Sequence, residues 1–220
     1  CSIQRRHQKL VEESPAPGLP PAVKSGLTAA AGAGARAIGY TNAGTMEFLV
    51  DESGGFYFLE MNARLQVEHP VTEEVTGLDL VAAQLRVAGG ELLPWRQDEI
   101  PQRRAAIECR VYAEDPSKGF LPSPGTLTKL ELPSGEGIRI ESGVEAGTTV
   151  SVHYDPLLLK LVAHGATRAQ ALERMDQALA TCVIEGPKTT IPFLRRIVAS
   201  DEFGSGRVHT QLLEQGAFNG

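Results

Sequence analysis

The apolar and polar positions of this 220-residue chain repeat with a period of two in some segments and with a helical period in others. Two apolar, aromatic-rich runs, Gly44–Val50 and Phe56–Met61, flank the turn-forming residues Asp51–Gly55, and this arrangement predicts a β-hairpin. Further apolar segments bounded by proline or glycine predict strands at Ala106–Tyr112, Gly125–Leu132, Ile138–Ser142 and Leu157–Ala163.

Helices are predicted where apolar residues recur at helical spacing. The clearest is Ala166–Leu179, and the others are Ala22–Ile38, Asp79–Val87, Thr190–Val198 and His209–Glu214. Strands come in a run and helices follow, without strict alternation, so the predicted fold class is α+β. The polar, proline-containing stretch Pro94–Arg104 predicts the boundary between two domains.

Composition narrows the class of protein. Hydrophobic residues make up 42% and charged residues 22%, which excludes a disordered, collagen-like or coiled-coil chain. The 21 Lys and Arg against 27 Asp and Glu give a net charge of −6, which disfavours nucleic acid and anionic membranes as partners. Three cysteines without a CxxC pair disfavour a disulfide framework or a zinc site and favour a reducing cytosol. The chain starts at Cys1 in a charged run, so we expect it to be part of something longer.

The predicted hairpin brings two carboxylates face to face. If its turn is Glu52–Gly55, Val50 pairs with Tyr57 and Glu47 pairs with Glu60. Like charges in this position are unfavourable, and both lie in apolar runs where burial is expected. A shared proton, a basic side chain or a divalent cation such as Mg²⁺ or Mn²⁺ would neutralise them. The alternative is two exposed edge carboxylates with no role.

From Glu60 to Glu68, every even position is polar and every odd position is apolar. If the segment is extended, one face carries Glu60, Asn62, Arg64, Gln66 and Glu68. A half-solvated strand is the ordinary cause of such alternation. These five side chains, however, are all carboxylates, amides or guanidinium, with no Ser, Thr or Lys, which favours a site that activates an anion.

The run from Glu60 to Glu73, EMNARLQVEHPVTE, also resembles the signature of biotin carboxylases. These are the ATP-grasp components of acetyl-, propionyl- and methylcrotonyl-CoA carboxylases and of pyruvate carboxylase. Further blocks similar to the family are Cys1–Lys9, Glu108–Arg110 with Ala113–Pro116, Phe120–Gly125 and His153–Pro156. The resemblance covers essentially the whole chain. It implies that residues 1–95 are the C-terminal half of an ATP-grasp domain and that 105–215 are the family's C-terminal α+β domain.

The resemblance implies ATP-dependent carboxylation of biotin. Bicarbonate attacks the γ-phosphate of ATP to give carboxyphosphate, which yields CO₂ and phosphate; the phosphate deprotonates biotin, and the biotin enolate attacks CO₂. ATP and two Mg²⁺ or Mn²⁺ ions are required, with biotin as the substrate on a carrier. The implied metal ligands are Glu47, Glu60 and Asn62, and the implied ATP-binding residues are Gln4, His7, Glu47 and Glu60.

The implied residues for bicarbonate and biotin are Lys9, Arg64, Gln66, the backbone of Val67, and Arg110. Within this set, Arg64 grips bicarbonate, Glu68 is the base that deprotonates it, and Arg110 stabilises the biotin enolate.

Several residues have a simpler interpretation when the family is set aside. His7, Lys9 and the Arg5-Arg6 pair fit a solvated basic face, and Arg110 fits a structural salt-bridge partner in a strand. His69 is followed by Pro70 and fits a loop anchor.

The chain departs from the family pattern at two places. Arg104-Ala105 stands where the family often has Gly-His, and Leu159 replaces a small residue before Lys160. The family's glycine-rich lid and ATP-binding lysines would precede Cys1, so we expect the isolated chain to be inactive.

The partners implied are a biotin carboxyl carrier protein or domain, a carboxyltransferase, and a second copy in a homodimer. The implied location is the cytoplasm, or the mitochondrial matrix in a eukaryote. Two other functions stay open: another ATP-grasp ligase, such as a carbamoyl-phosphate synthetase relative, and a non-catalytic domain that docks a carboxylase subunit. The former would need neither the Glu108–Arg110 block nor the Gln66–Glu68 run.

Overall fold

The computed structural model describes residues 1–218 and has the predicted mixture of strands and helices. The strands are β1 (Ile3–Arg5), β2 (Gln8–Ser14), β3 (Thr45–Val50), β4 (Phe56–Asn62), β5 (Ala105–Tyr112), β6 (Glu114–Asp115), β7 (Leu121–Pro122), β8 (Gly125–Thr126), β9 (Lys129–Glu131), β10 (Ile138–Ser142), β11 (Thr149–Val150), β12 (Leu157–Gly165) and β13 (Val183–Glu185). The helices are α1 (Pro21–Ala37), α2 (His69–Thr76), α3 (Leu80–Ala88), α4 (Arg168–Thr181), α5 (Ile191–Val198) and α6 (Asp201–Gly204).

The chain divides into two compact units. The sheet unit contains Cys1–Pro15 and the residues from Arg103 onward, and the hairpin unit contains Ala16–Gln102. The predicted domain bounds 1–95 and 105–215 stay a prediction. The first fifteen residues join the sheet unit because β2 pairs with β5, with Val11 opposite Cys109.

A five-stranded antiparallel sheet with the order β1-β2-β5-β12-β10 forms the centre of the sheet unit. Every residue of β5 is buried. Its odd-numbered residues are Ala, Ile, Cys and Val and lie in the hydrophobic core, whereas Glu108 and Arg110 share the opposite face. One face of this sheet is therefore apolar and the other carries buried charges.

Helix α4 covers part of the apolar side and confirms the predicted helical face. Ala171, Met175 and Leu179 are buried in the same core as β5 and β12, Leu172 packs against that core, and Ala178 is buried as well. The helix begins after Thr167, whose side-chain oxygen accepts a hydrogen bond from the backbone N–H of Gln170 at 3.2 Å.

In the hairpin unit, two glycines let α1 lie close against the β3–β4 hairpin. A Cβ at Gly26 would lie 2.9 Å from the Phe56 ring, and one at Gly34 would lie 2.8 Å from the methyl carbon of Met46. A larger residue at Gly26 would force the Phe56 ring to move, whereas at Gly34 the end of the flexible Met46 side chain would have to shift. Close packing thus accounts for glycine inside this helix despite its low propensity.

The register of the hairpin is partly as predicted. Glu47 does lie opposite Glu60, but Val50 pairs with Phe56 and not with Tyr57. The turn is one residue tighter than expected, because Asp51 and Gly55 already pair across it and Gly54 adopts a positive φ of 85°. A bulge in β4 beside the Glu47–Glu60 pair restores the predicted register beyond it.

Three sequence predictions of secondary structure are wrong. Gly125–Leu132 is split into β8 and β9, because the chain changes partner there from β11 to β13. His209–Glu214 forms turns and no helix, because its backbone hydrogen bonds are isolated turn bonds and do not continue as a helical series. His69 is not in a loop: it starts α2, and Pro70 lies in the first turn, where proline is tolerated.

Strands β1 and β2 were not predicted from the sequence, because their segments are largely polar.

Among the helices of residues 1–218, none combines the length and the apolar character required to cross a membrane.

Candidate functional site

The hairpin unit places an acidic pair at the centre of a polar cluster. Glu47 and Glu60 are cross-strand partners in β3 and β4. The Asn62 side chain bridges them, because its Nδ2 donates to Glu60 Oε1 at 2.9 Å and to Glu47 Oε1 at 3.3 Å. The expected burial is wrong for Glu60, which is exposed, whereas Glu47 is half-buried.

Arg64 and Gln66 extend the cluster on either side of Asn62. Arg64 Nη2 donates to Asn62 Oδ1 at 3.0 Å, and Gln66 Nε2 donates to Glu47 Oε1 at 2.6 Å. The predicted extended ribbon ends at Asn62, where β4 ends. The side chains meet because the chain turns back after the strand, and not because a longer strand aligns them.

The last two predicted residues of this run lie immediately before α2. Val67 and Glu68 are half-buried, and Glu68 directly precedes the helix. The Nδ1 of His69 lies 2.8 Å from the Gln66 carbonyl oxygen, and its Nε2 lies 4.0 Å from Glu73 Oε2. These contacts tie the loop that carries Arg64 and Gln66 to the helix.

This cluster has the donor chemistry of a magnesium site. Glu47 and Glu60 supply carboxylate oxygens, and both lie within hydrogen-bond reach of one amide nitrogen of Asn62. A half-turn about the terminal bond of Asn62 would present its oxygen instead of its nitrogen. Two carboxylates and an amide oxygen are hard ligands of the kind that Mg²⁺ and Mn²⁺ take.

In the sheet unit, the first sequence block forms a tight hairpin. Gln4 lies opposite Lys9, and the two-residue turn between β1 and β2 is Arg6-His7, with φ values of 49° and 66°. His7 is therefore exposed at the tip, while Gln4 and Lys9 are half-buried on the paired strands.

Arg5 anchors this hairpin. The sequence had suggested that Arg5 belongs to a solvated face, and that interpretation is wrong. Its Nη2 donates to both carboxylate oxygens of Glu114, at 3.0 and 2.8 Å. Its guanidinium also lies over the ring of Phe120, 4.4 Å from the centroid. Burial raises the pKa of Glu114 above its ordinary value, although the charge of Arg5 and its hydrogen bond favour the ionised form.

Arg110 lies on the charged face of the central sheet and is only 8% exposed. Its Nε and Nη2 donate to Glu12 Oε1 at 2.6 and 2.5 Å, and Glu12 is 1% exposed. Burial raises the pKa of the neighbouring Tyr112, against the attraction and the hydrogen bond of Arg110. The interpretation of Arg110 as a salt-bridge partner therefore describes a real contact.

In the hairpin unit, hydrogen bonds thus link Glu47, Glu60, Asn62, Arg64 and Gln66. In the sheet unit, the predicted residues lie on two elements: Gln4, His7 and Lys9 on the β1–β2 hairpin, and Arg110 on β5. Sequence reasoning missed Glu12 and Glu114, which hold the two arginines. A usable signal existed for Glu12, because it stands next to two buried apolar residues in a segment where a charge needs a partner.

Comparison with protein-family models gives two matches. Residues 1–96 match the ATP-binding domain of the carbamoyl-phosphate synthase L chain. Residues 108–215 match the biotin carboxylase C-terminal domain.

Curated relatives are similar over almost the whole chain. Biotin carboxylase 2 of Bacillus subtilis (strain 168) is 50% identical over 215 residues, which are 98% of this chain and 48% of the relative. The mitochondrial propionyl-CoA carboxylase alpha chain of Caenorhabditis elegans is 50% identical over 217 residues, 98% of this chain and 30% of that one. The chain thus spans about half the length of the first relative and less of the second.

Among solved structures, the biotin carboxylase domain dimer of Hydrogenobacter thermophilus 2-oxoglutarate carboxylase, in complex with MgADP, ADP and bicarbonate, has the same fold. Its TM-score is 0.96 at 46% identity, with 99% of this chain and 48% of that chain covered.

Proposed function

Because this chain belongs to the biotin carboxylase family, we propose that the protein serves the ATP-dependent carboxylation of biotin with bicarbonate. The observation that carries the proposal is the cluster of Glu47, Glu60, Asn62, Arg64 and Gln66, whose members are linked by hydrogen bonds. It combines oxygen ligands for a cation with donors for an anion. A reaction that joins a metal-bound nucleotide to bicarbonate needs both.

The acidic part of the cluster would hold the divalent ions. Glu47, Glu60 and Asn62 are the proposed ligands of two Mg²⁺ or Mn²⁺ ions, which neutralise the phosphate charge of ATP when bound. The likeness to the dimer that binds MgADP and bicarbonate supports this choice.

The donor part of the cluster would bind bicarbonate. Arg64 offers a planar guanidinium that matches a planar anion, and its contact with Asn62 keeps it beside the acidic pair. Gln66 is buried and held by Glu47, so its side-chain orientation is fixed, and the Val67 backbone N–H follows it. Glu68 would take the proton of bicarbonate, which frees an oxygen to attack the γ-phosphate.

The proposed residues of the sheet unit have separate roles. Gln4 and His7, on and beside the β1–β2 turn, would contact the nucleotide, and Lys9 would help to bind bicarbonate. After carboxyphosphate has broken down to CO₂ and phosphate, the phosphate removes the proton of the biotin ring nitrogen. Arg110 would stabilise the resulting enolate oxygen of biotin while the deprotonated ring nitrogen of biotin attacks CO₂.

A second candidate is a carbamoyl-phosphate synthetase relative, which the match of residues 1–96 favours. The match of residues 108–215 to a biotin carboxylase domain favours the first proposal. The two differ in the acceptor. We expect the intact protein, given ATP, Mg²⁺ and bicarbonate, to form carboxybiotin from biotin and no carbamoyl phosphate from ammonia. Carbamoyl phosphate without carboxybiotin would refute the proposal.

We further propose that biotin arrives on a carrier protein or domain, that a carboxyltransferase takes the product, and that two copies form a dimer. The relatives are parts of biotin-dependent carboxylases, and one solved relative is a dimer. The proposed location is the cytoplasm or the mitochondrial matrix, since several relatives are mitochondrial. The division into a C-terminal part of an ATP-grasp domain (1–95) and a C-terminal domain (105–215) also remains part of the proposal.

A further inference from the structure

The charged face of the central sheet contains two buried cations on neighbouring strands. Arg110 of β5 lies directly opposite Lys160 of β12, and each is 8% exposed. Like charges in such a cross-strand pair repel one another, so each needs a carboxylate of its own. Lys160 Nζ lies 2.5 Å from Glu141 Oε2, and Arg110 is held by Glu12.

The contact between Glu12 and Arg110 constrains the guanidinium more than a charge pair requires. A single carboxylate oxygen accepts from both Nε and Nη2, at 2.6 and 2.5 Å. Two donors on one edge of a planar group fix the plane of that group as well as its position. Arginine otherwise has many rotamers, and ordering it would cost free energy during the reaction.

The two partners come from distant parts of the chain. Glu12 is on β2 and Arg110 is on β5, 98 residues apart in sequence. The strands are neighbours in the sheet, and Glu12 lies opposite Glu108, two residues from Arg110 on the same face. Glu12 is therefore held on a rigid element, as is required of a group that sets the orientation of another.

We propose that Glu12 is a positioning residue, which orients the Arg110 guanidinium for the enolate oxygen of biotin. The inference rests on the proposed function. Glu12 contacts no substrate in this role: it supplies pre-organisation, so that the oxyanion meets an arginine already in place.

The test compares two partial reactions of the intact protein. Bicarbonate-dependent ATP cleavage requires no biotin enolate, whereas carboxybiotin formation does. We expect E12Q to lower the carboxybiotin formed per ATP cleaved about tenfold, which corresponds to ~1.4 kcal/mol of transition-state stabilisation. Both are measured on one sample, with labelled bicarbonate for carboxybiotin and phosphate release for ATP.

A matched control comes from the next residue. Glu13 holds Arg168 at 2.6 Å from the same strand, and its side chain is 7% exposed. E13Q therefore removes a comparable ion pair without changing the contacts of Arg110. The carboxybiotin formed per ATP cleaved by E13Q should equal that of the unsubstituted protein. A fall in E13Q as large as in E12Q would show a general structural effect and overturn the inference.

If E12Q does not fold, E12D decides, because it keeps the buried charge and withdraws the carboxylate by one methylene. A lowered ratio supports the inference, and an unchanged ratio in a folded variant overturns it. Absence of carboxybiotin with the unsubstituted protein would instead refute the proposed function, and this inference with it.

Discussion

Replacing Arg5 by methionine should destabilise the protein, because Arg5 is one partner of a largely buried ion pair. The side chains of Arg5 and Glu114 are 15% and 7% exposed, and they lie 2.8 Å apart. Removal of one partner of such a pair costs about 3–5 kcal/mol, because the other charge stays buried. Methionine keeps much of the packing of the arginine stem, and Glu114 can take up a proton. We therefore expect about 3 kcal/mol of lost stability.

The assays are urea unfolding, which gives the free energy of unfolding, and thermal unfolding, which gives Tm, both followed by circular dichroism on the intact protein. A loss of that size corresponds to a fall in Tm of about 6–12 °C. Arg6→Met is the matched control, because Arg6 is exposed at the turn, and its free energy of unfolding should change by less than ~0.5 kcal/mol. The double variant R5M/E114Q should recover at least half of the loss, since no charge is then left buried.

The pH dependence has a definite sign. Burial already raises the pKa of Glu114, and loss of Arg5 raises it further. A carboxyl whose pKa is raised by folding binds its proton more tightly in the folded state. The stabilisation that the protonated Glu114 carboxyl gives to the folded state is thus complete below the ordinary pKa and is lost as the pH rises through the raised pKa. The deficit of R5M should therefore grow between pH 5 and 7.5. A deficit below ~1 kcal/mol, or a double variant as unstable as the sum of the singles, would refute this reasoning.

Three other predictions concern a proposed metal ligand, a glycine with a positive φ, and the three cysteines. Glu47→Gln should raise the Mg²⁺ concentration for half-maximal ATP cleavage at least about tenfold, whereas Glu52→Gln in the exposed turn should leave it unchanged. Equal Mg²⁺ titration curves for the two variants would remove Glu47 from the proposed metal ligands. Gly186→Ala should lower the free energy of unfolding by about 2–4 kcal/mol, measured by thermal unfolding. The φ of Gly186 is +113°, and the new Cβ would lie 2.1 Å from the Thr126 carbonyl oxygen. Gly204→Ala is the control: its Cβ meets no such contact, and the substitution should be tolerated. At pH 8, Cys1 alone should react quickly with a thiol reagent, since burial raises the pKa of Cys182 to about 11 and that of Cys109 well above its ordinary value; fast reaction of more than one thiol in the folded protein would contradict this.

The acidic pair could be predicted from sequence because the determinants are local. Two apolar runs and a short turn bring Glu47 opposite Glu60 whether the turn has three or four residues, since a bulge compensates for the difference. The pairs next to the turn had no such compensation, and there the predicted register was wrong by one residue.

The supports of the two arginines could not be predicted in the same way. Arg5 meets Glu114 across 109 residues, and Arg110 meets Glu12 across 98. Strands β1 and β2 are polar, and they form because β2 pairs with β5 and β1 pairs with β2, so their propensity alone gave no sign of them. Periodicity identifies the faces of elements, but it does not identify which distant charge lies across from another.

The most direct test of the account is label transfer from bicarbonate to biotin. With ATP and Mg²⁺, the intact protein should incorporate label into biotin, and Arg64→Ala should reduce the rate by at least about a hundredfold while nucleotide binding is retained. Arg86→Ala, an exposed arginine on α3, is the matched control and should keep the original rate. An Arg64→Ala variant that carboxylates biotin as fast as the control would contradict the central claim.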